Sequence, residues 1–71
     1  DMARFQKLAV AAALARGQWI AAALAMTEAA QPLSPGEAAR LAGLRAAYEE
    51  LTEAYEGLRR LVERGYLSFP G

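Results

Sequence analysis

Large apolar residues recur at alternating steps of three and four along the second half of the chain, from residue 41 to residue 62. This is the a/d spacing of a heptad repeat, which gathers its members on one stripe of an α-helix. Arg, Glu and Ala occupy most of the positions between them. The pattern therefore predicts an amphipathic helix whose apolar stripe consists of Leu41, Leu44, Tyr48, Leu51, Tyr55, Leu58 and Val62.

Local signals at both ends of this stripe predict where the helix begins and ends. Ser34, Pro35 and Glu37 have the order of an N-cap, a proline in the first turn and the glutamate of a capping box. Arg64 and Gly65 resemble a basic last turn followed by a C-terminal glycine. We therefore expect helix 2 over about residues 35–64, after a loop at 31–34, with an extended tail at 65–71.

The first half of the chain has the same heptad spacing, with alanine in many of its positions. Phe5, Leu8, Trp19 and Met26 are the large members of this stripe, and they predict helix 1 over about residues 2–30. A second apolar surface is expected beside it, formed by Val10, Leu14, Ile20 and Leu24. Gly17 leaves open whether the helix is broken there, and one long helix is the favoured interpretation.

Composition supports an all-α fold. The chain has 18 alanines among 71 residues, and alanine is the best helix former. β-branched residues, which strands favour, number only five: Val10, Ile20, Thr27, Thr52 and Val62. We expect a single domain over residues 1–71, folded as an antiparallel hairpin of two long helices.

A lone hairpin of this size buries little apolar surface relative to the conformational entropy it loses on folding. The apolar band of helix 1 is also wider than one partner helix can cover. We therefore expect the hairpin to complete a four-helix bundle by binding itself, as a homodimer or larger, or another helical protein. The predicted function is a non-enzymatic interaction or oligomerisation module whose contact residues are Phe5, Leu8, Trp19, Met26, Leu41, Leu44, Tyr48, Leu51, Tyr55, Leu58 and Val62.

The chain contains no histidine and no cysteine. It therefore lacks the commonest general base, the thiolate nucleophile and the commonest transition-metal ligands. The one dense acidic group is Glu49, Glu50, Glu53 and Glu56, which lies off the apolar stripe and is interpreted as a solvated face. We expect no enzymatic activity, no cofactor and no metal site.

The net charge and the apolar stretch of the chain limit which partners are expected. Eight basic residues balance eight acidic ones, which disfavours binding to nucleic acid or to an anionic membrane surface. The mostly apolar stretch from Leu8 to Ala30 is long enough to span a bilayer, but Arg16 interrupts it. We expect a cytoplasmic protein that does not enter a membrane.

Two segments carry a family resemblance. Residues 32–44, PLSPGEAARLAGL, resemble the second helix of a winged helix-turn-helix domain, and residues 58–67, LRRLVERGYL, resemble the end of its recognition helix and the first wing strand. The resemblance covers about half of the chain and implies a transcriptional regulator that binds duplex DNA. The stretch between the two segments has no turn signal and carries the four glutamates, which phosphates repel. DNA binding is therefore the alternative function.

Overall fold

The structure is a computed structural model that describes residues 2–65. It consists of two helices, α1 (Met2–Met26) and α2 (Pro35–Glu63), and the described residues contain no strand. The helices pack along their length as an antiparallel hairpin, because Phe5 near the start of α1 meets Tyr55 late in α2. The molecule is a rod of 51 × 17 × 14 Å. The predicted all-α fold and helical hairpin are confirmed.

The N-terminus of α2 has the predicted capping box. The Ser34 hydroxyl accepts a hydrogen bond of 3.1 Å from the Glu37 amide, and the Glu37 carboxylate accepts one of 2.9 Å from the Ser34 amide. Pro35 follows the cap, where its missing N–H removes no helical hydrogen bond. These contacts satisfy amide groups that the first turn leaves without helical partners, and they fix the beginning of α2 at residue 35.

The C-terminus of α2 is also as predicted, within one residue. The Arg64 amide donates to the Arg60 carbonyl at 3.0 Å, and the Gly65 amide donates to the Val62 carbonyl at 3.1 Å. Gly65 has a φ of 80°, the left-handed conformation in which glycine ends many helices. The predicted tail at residues 66–71 lies outside the described residues.

The predicted end of helix 1 at residue 30 is wrong. α1 ends at Met26, and the connection to α2 covers residues 27–34 rather than 31–34. Thr27 donates its hydroxyl to the carbonyls of Ala23 and Leu24, at 2.9 and 3.2 Å, so that it occupies the acceptors of the last turn. Ala30 then adopts a φ of 47°, which a continuing right-handed helix does not allow.

Neither helix is interrupted by its glycines. α1 runs through Gly17 and α2 runs through Gly43 and Gly57 without a break. The question of a break at Gly17 is thus answered in favour of one long helix. The two segments that resemble a winged helix-turn-helix domain are joined by a continuous helix from residue 44 to residue 58.

The contact between the two helices is thin. Only Ala15 and Ala22 are buried among the described residues, each at 8 % exposure, and both lie on α1. The large side chains of both apolar stripes are half-buried around them. Alanine at the centre lets the two helix backbones approach closely but removes little surface from water. Within one hairpin, therefore, the described residues form a narrow strip of contact between α1 and α2 rather than an enclosed core. We call this strip the seam.

Candidate interaction surface

All the predicted contact residues lie in the seam between α1 and α2. Each is half-buried by the opposite helix of the same hairpin. The structure thus brings the two predicted stripes together within one chain. Little area of either stripe is left to contact a second chain. The seam consists, in addition to Ala15 and Ala22, of Phe5, Leu8, Trp19, Met26, Leu41, Leu44, Tyr48, Leu51, Tyr55, Leu58 and Val62.

Two aromatic pairs fix the register of the seam. The rings of Phe5 and Tyr55 meet edge to face, with centroids 5.1 Å apart and planes at 63°. The rings of Trp19 and Tyr48 stack, with centroids 5.5 Å apart and planes at 15°. Both arrangements are favourable aromatic geometries. Trp19 and Tyr48 are thereby anchored to each other inside the hairpin.

The guanidinium of Arg45 lies 5.8 Å from the centroid of the Trp19 ring. This is within the range of a cation–π contact. Arg45 also forms an ion pair of 3.5 Å with Glu49 one turn later. The arginine thus covers the edge of the seam at the Trp19 ring. Trp19 and Tyr48, which the sequence predicts as contact residues, pack against each other within the hairpin.

The prediction that the second apolar surface of α1 lies beside the first stripe is wrong. This surface faces away from α2. At about 100° per residue, Val10, Leu14, Gly17, Ala21 and Leu24 fall within about 80° of arc, roughly opposite the seam residues of α1. No side chain of α2 covers them. We call this surface the outer face; it consists of Ala3, Lys7, Val10, Leu14, Gly17, Ala21 and Leu24, all of them exposed.

The outer face leaves large apolar side chains in water. Val10 is 56 % exposed, Leu14 64 % and Leu24 66 %. Ile20, on its flank, is 44 % exposed. A shallow groove runs along the N-terminal half of this face, lined by Ala3, Gln6, Lys7, Val10, Ala11 and Leu14. Large exposed apolar side chains grouped on one face are common where a protein binds a partner or a ligand.

Sequence reasoning noted these apolar residues but did not place them among the contact residues. The signal was present in their spacing. The steps from Val10 through Leu14, Gly17 and Ala21 to Leu24 are four, three, four and three, a second heptad stripe on α1. Alanine and glycine at two of these positions made the stripe inconspicuous beside the one that carries Phe5 and Trp19.

Charged side chains lie mainly on α2, away from the seam. The acidic group of Glu49, Glu50, Glu53 and Glu56 is exposed, as predicted for a solvated face. Within residues 2–65 no cluster of three or more acidic side chains is arranged to hold a metal ion. Near the end of α2, Arg59 and Glu63 form an exposed ion pair of 3.4 Å. Such exposed pairs contribute at most about 1 kcal/mol.

α1 is long and apolar enough to cross a membrane. Its 25 residues include an 18-residue window with a mean hydropathy of 1.5, of which 17 % is buried in the hairpin. The core helix of a soluble protein and a signal sequence can meet the same criterion. This test of length and composition therefore does not decide where the protein resides.

Comparisons of this chain with models of known protein families, with curated proteins and with solved structures found no match.

Proposed function

We propose that this protein is a non-enzymatic interaction module that presents the outer face of α1 to another helix, either of its own kind or of a different helical protein. The observation that carries the proposal is the exposure of Val10, Leu14 and Leu24 on the side of α1 that α2 leaves uncovered. The seam has a different role, which is to hold the hairpin together. The outer face is the surface left for a partner.

The surface balance of the chain supports this function. A monomeric protein of 7.6 kDa exposes about 4,300 Å² on average, whereas this chain exposes 5436 Å². Its unfolded chain would expose about 11,000 Å², so folding the hairpin removes only about half of that surface from water, against about 60 % for a typical 60-residue domain. A partner helix on the outer face would supply the missing burial.

DNA binding, the alternative function, has less support. A helix-turn-helix domain needs a turn between its two matched helices, and α2 is continuous between residues 44 and 58. The exposed carboxylates of Glu49, Glu50, Glu53 and Glu56 lie on this continuous segment, where phosphates would have to approach. The geometry of α2 thus favours the interaction module.

A cytoplasmic location without membrane insertion belongs to this proposal. Arg16 lies near the middle of α1 and is exposed. A charged residue at the centre of a spanning helix costs about 2.5–3.5 kcal/mol on insertion scales. In the hairpin, moreover, α1 is joined along the seam to a helix with many exposed charges.

The function is tested by the molar mass of the protein in solution. Leu14→Gln removes the apolar side chain at the centre of the outer face, and Leu61→Gln makes the same change on α2, where Leu61 is 41 % exposed. At tens of micromolar, we expect light scattering to give a mass of at least two chains for the wild type and for Leu61→Gln. We expect a mass close to 7.6 kDa for Leu14→Gln.

A wild-type protein that stays monomeric, and whose helicity and stability match those of Leu14→Gln, would contradict self-association. Circular dichroism on all three proteins separates loss of association from loss of the fold. Because Leu14 lies outside the seam, Leu14→Gln leaves the contacts between α1 and α2 intact, and its helicity at equal concentration shows whether the hairpin stays folded without a second chain.

A further inference from the structure

The outer face is arranged symmetrically about Gly17. Val10 lies seven residues before Gly17 and Leu24 lies seven residues after it, so each is about 10.5 Å from it along the helix axis. A second copy of the helix laid antiparallel across Gly17 would place Val10 of one chain opposite Leu24 of the other. Leu14 of each chain would lie opposite Ala21 of the other, so that a large side chain meets a small one in these two layers.

We propose that the partner of the outer face is a second copy of this chain, paired antiparallel through α1 with Gly17 at the two-fold axis. The proposal rests on the function proposed above and specifies its partner and geometry. It places the two α2 helices on the outside of a layered array, α2–α1–α1–α2. This arrangement differs from a square four-helix bundle because the outer face and the seam lie on opposite sides of α1.

Charge complementarity favours the antiparallel orientation. Lys7 lies on α1 ten residues before Gly17, about 15 Å from the crossing point, and Glu28 lies in the turn two residues after the end of α1. The antiparallel pair therefore brings Lys7 of each copy to the end of the other copy's α1, next to the turn that carries Glu28, at both ends of the contact. A parallel pair would set Lys7 against Lys7 and Glu28 against Glu28, which is repulsive.

The glycine at the crossing point has no function within the hairpin. Gly17 lies in the middle of α1, where glycine is unfavourable, and a Cβ placed there would meet no atom within 4 Å. Its conformation is helical and requires no glycine. Gly17 thus leaves room for a second backbone to approach, since small residues at a crossing let two helices come within about 8 Å.

The area that such a dimer needs is available. The chain exposes about 1,100 Å² more than the average for its mass, from a total of 5436 Å². A standard protein–protein interface buries about 800 Å² on each partner. One homotypic contact along the outer face is therefore enough to account for most of the excess.

Lipid is the other medium that such a face could enter. The proposal favours a second copy because a lipid bilayer offers no acidic side chain opposite Lys7, whereas the antiparallel pair places the turn that carries Glu28 there. Exposed Arg16 also lies one residue from the crossing point, near the centre of α1. In a dimer its flexible side chain can reach water at the flank, whereas in a spanning helix it would lie deep in the hydrocarbon.

Cross-linking tests the geometry, because the chain has no cysteine and each variant then carries a single thiol. Val10→Cys and Leu24→Cys change residues of the outer face that are 56 % and 66 % exposed. The two proteins are mixed in equal amounts in a glutathione redox buffer, and the linked products are identified by mass. We expect nearly all linked product to contain one chain of each kind, and each variant alone to remain unlinked.

The expectation follows from distance. In the antiparallel pair the two Val10 positions are about 21 Å apart, whereas a disulfide requires Cα atoms within about 7 Å. In a parallel pair the opposite pattern holds, and each variant would link to itself. Leu61→Cys, on α2, is the control for random collision and should give little linked product in any mixture.

The molar mass of the same samples separates two kinds of failure: a wrong pairing geometry and a wrong partner. A dimer in which Val10→Cys links to itself would overturn the antiparallel pairing and leave the interaction module standing. A monomer would overturn the second copy as the partner. A third sample contains phosphatidylcholine vesicles. If the protein floats with the vesicles and the mixed cross-link disappears, lipid covers the outer face. That result would also overturn the proposal.

Discussion

Ser34 is the residue whose local chemistry most clearly determines the course of the chain. Its side chain accepts from the Glu37 amide, while the Glu37 side chain returns to the Ser34 amide. Both hydrogen bonds are exposed and join residues 34 and 37, which are not part of the outer face, so that they bear on the stability of α2. This separation makes the cap a site at which stability can be changed without a direct effect on the proposed contact.

We expect Ser34→Ala to lower the free energy of unfolding by about 1 kcal/mol, because the Glu37 amide loses the hydroxyl that accepts its hydrogen bond. Ser34→Asp should restore most of this loss, since a carboxylate can accept the same hydrogen bond and interacts favourably with the helix N-terminus. Urea denaturation of the three proteins at equal concentration measures the difference. Equal stability of Ser34→Ala and the wild type would contradict the role of the cap.

Residue chemistry also explains what the sequence predicted well and what it did not. The limits of α2 were predictable because Ser34, Pro35, Glu37 and Gly65 act through hydrogen bonds and dihedral preferences within a few residues of one another. The end of α1 was not, because neither the hydrogen bonds of the Thr27 hydroxyl nor the positive φ of Ala30 follows from a local sequence signal. A threonine among alanines does not by itself distinguish a helix end from a helix interior.

At the scale of the helices, spacing predicted which residues pack but not what they pack against. The heptad stripes through Phe5 and Tyr55 were recognised, and both lie in the seam. Their register came only from the structure, because a heptad repeat allows several alignments that differ by whole turns. The stacking of Trp19 on Tyr48 selects one of them, and it turned a predicted interface between chains into a contact within one chain.

Two exposed glycines inside the helices allow a test at this scale. At both Gly17 and Gly43 an added Cβ would meet no atom within 4 Å, so Gly43→Ala should raise the free energy of unfolding by about 0.5–1 kcal/mol through helix propensity alone. Gly17→Ala should gain the same helix propensity but should weaken association, because the added methyl group lies at the proposed crossing point. Thermal unfolding and light scattering over a dilution series measure both effects.

Gly43→Ala is the matched control for Gly17→Ala, because the same substitution is made on the helix that does not form the contact. Unchanged association in Gly17→Ala, together with an increase in stability equal to that of Gly43→Ala, would show that the helices do not cross at Gly17. A dimer would then have to use another part of α1.

At the scale of the whole molecule, the elongated shape limits how much apolar surface folding can bury. A rod of 51 × 17 × 14 Å with two buried alanines has a large surface for its mass, and the residues exposed on α1 include some of its largest apolar side chains. The sequence predicted this deficit, since two helices of alanine, leucine and few aromatics cannot enclose a core. The missing burial would come from the face of α1 that points away from α2. The packing of α1 against α2 determines which residues form that face.

If a second copy supplies the missing burial, unfolding and dissociation are coupled, and stability must depend on protein concentration. A dimer of 142 residues, twice the 71 of one chain, has an unfolding enthalpy of about 100 kcal/mol near 60 °C. The midpoint of thermal unfolding should then rise by about 5 °C for each ten-fold increase in concentration. Leu61→Gln should retain this dependence, while Leu14→Gln should lose it and unfold at one temperature throughout. A wild-type midpoint that stays constant over a hundred-fold range would mean that the hairpin folds alone, and that the exposed side chains of Val10, Leu14 and Leu24 are tolerated in water without a second copy.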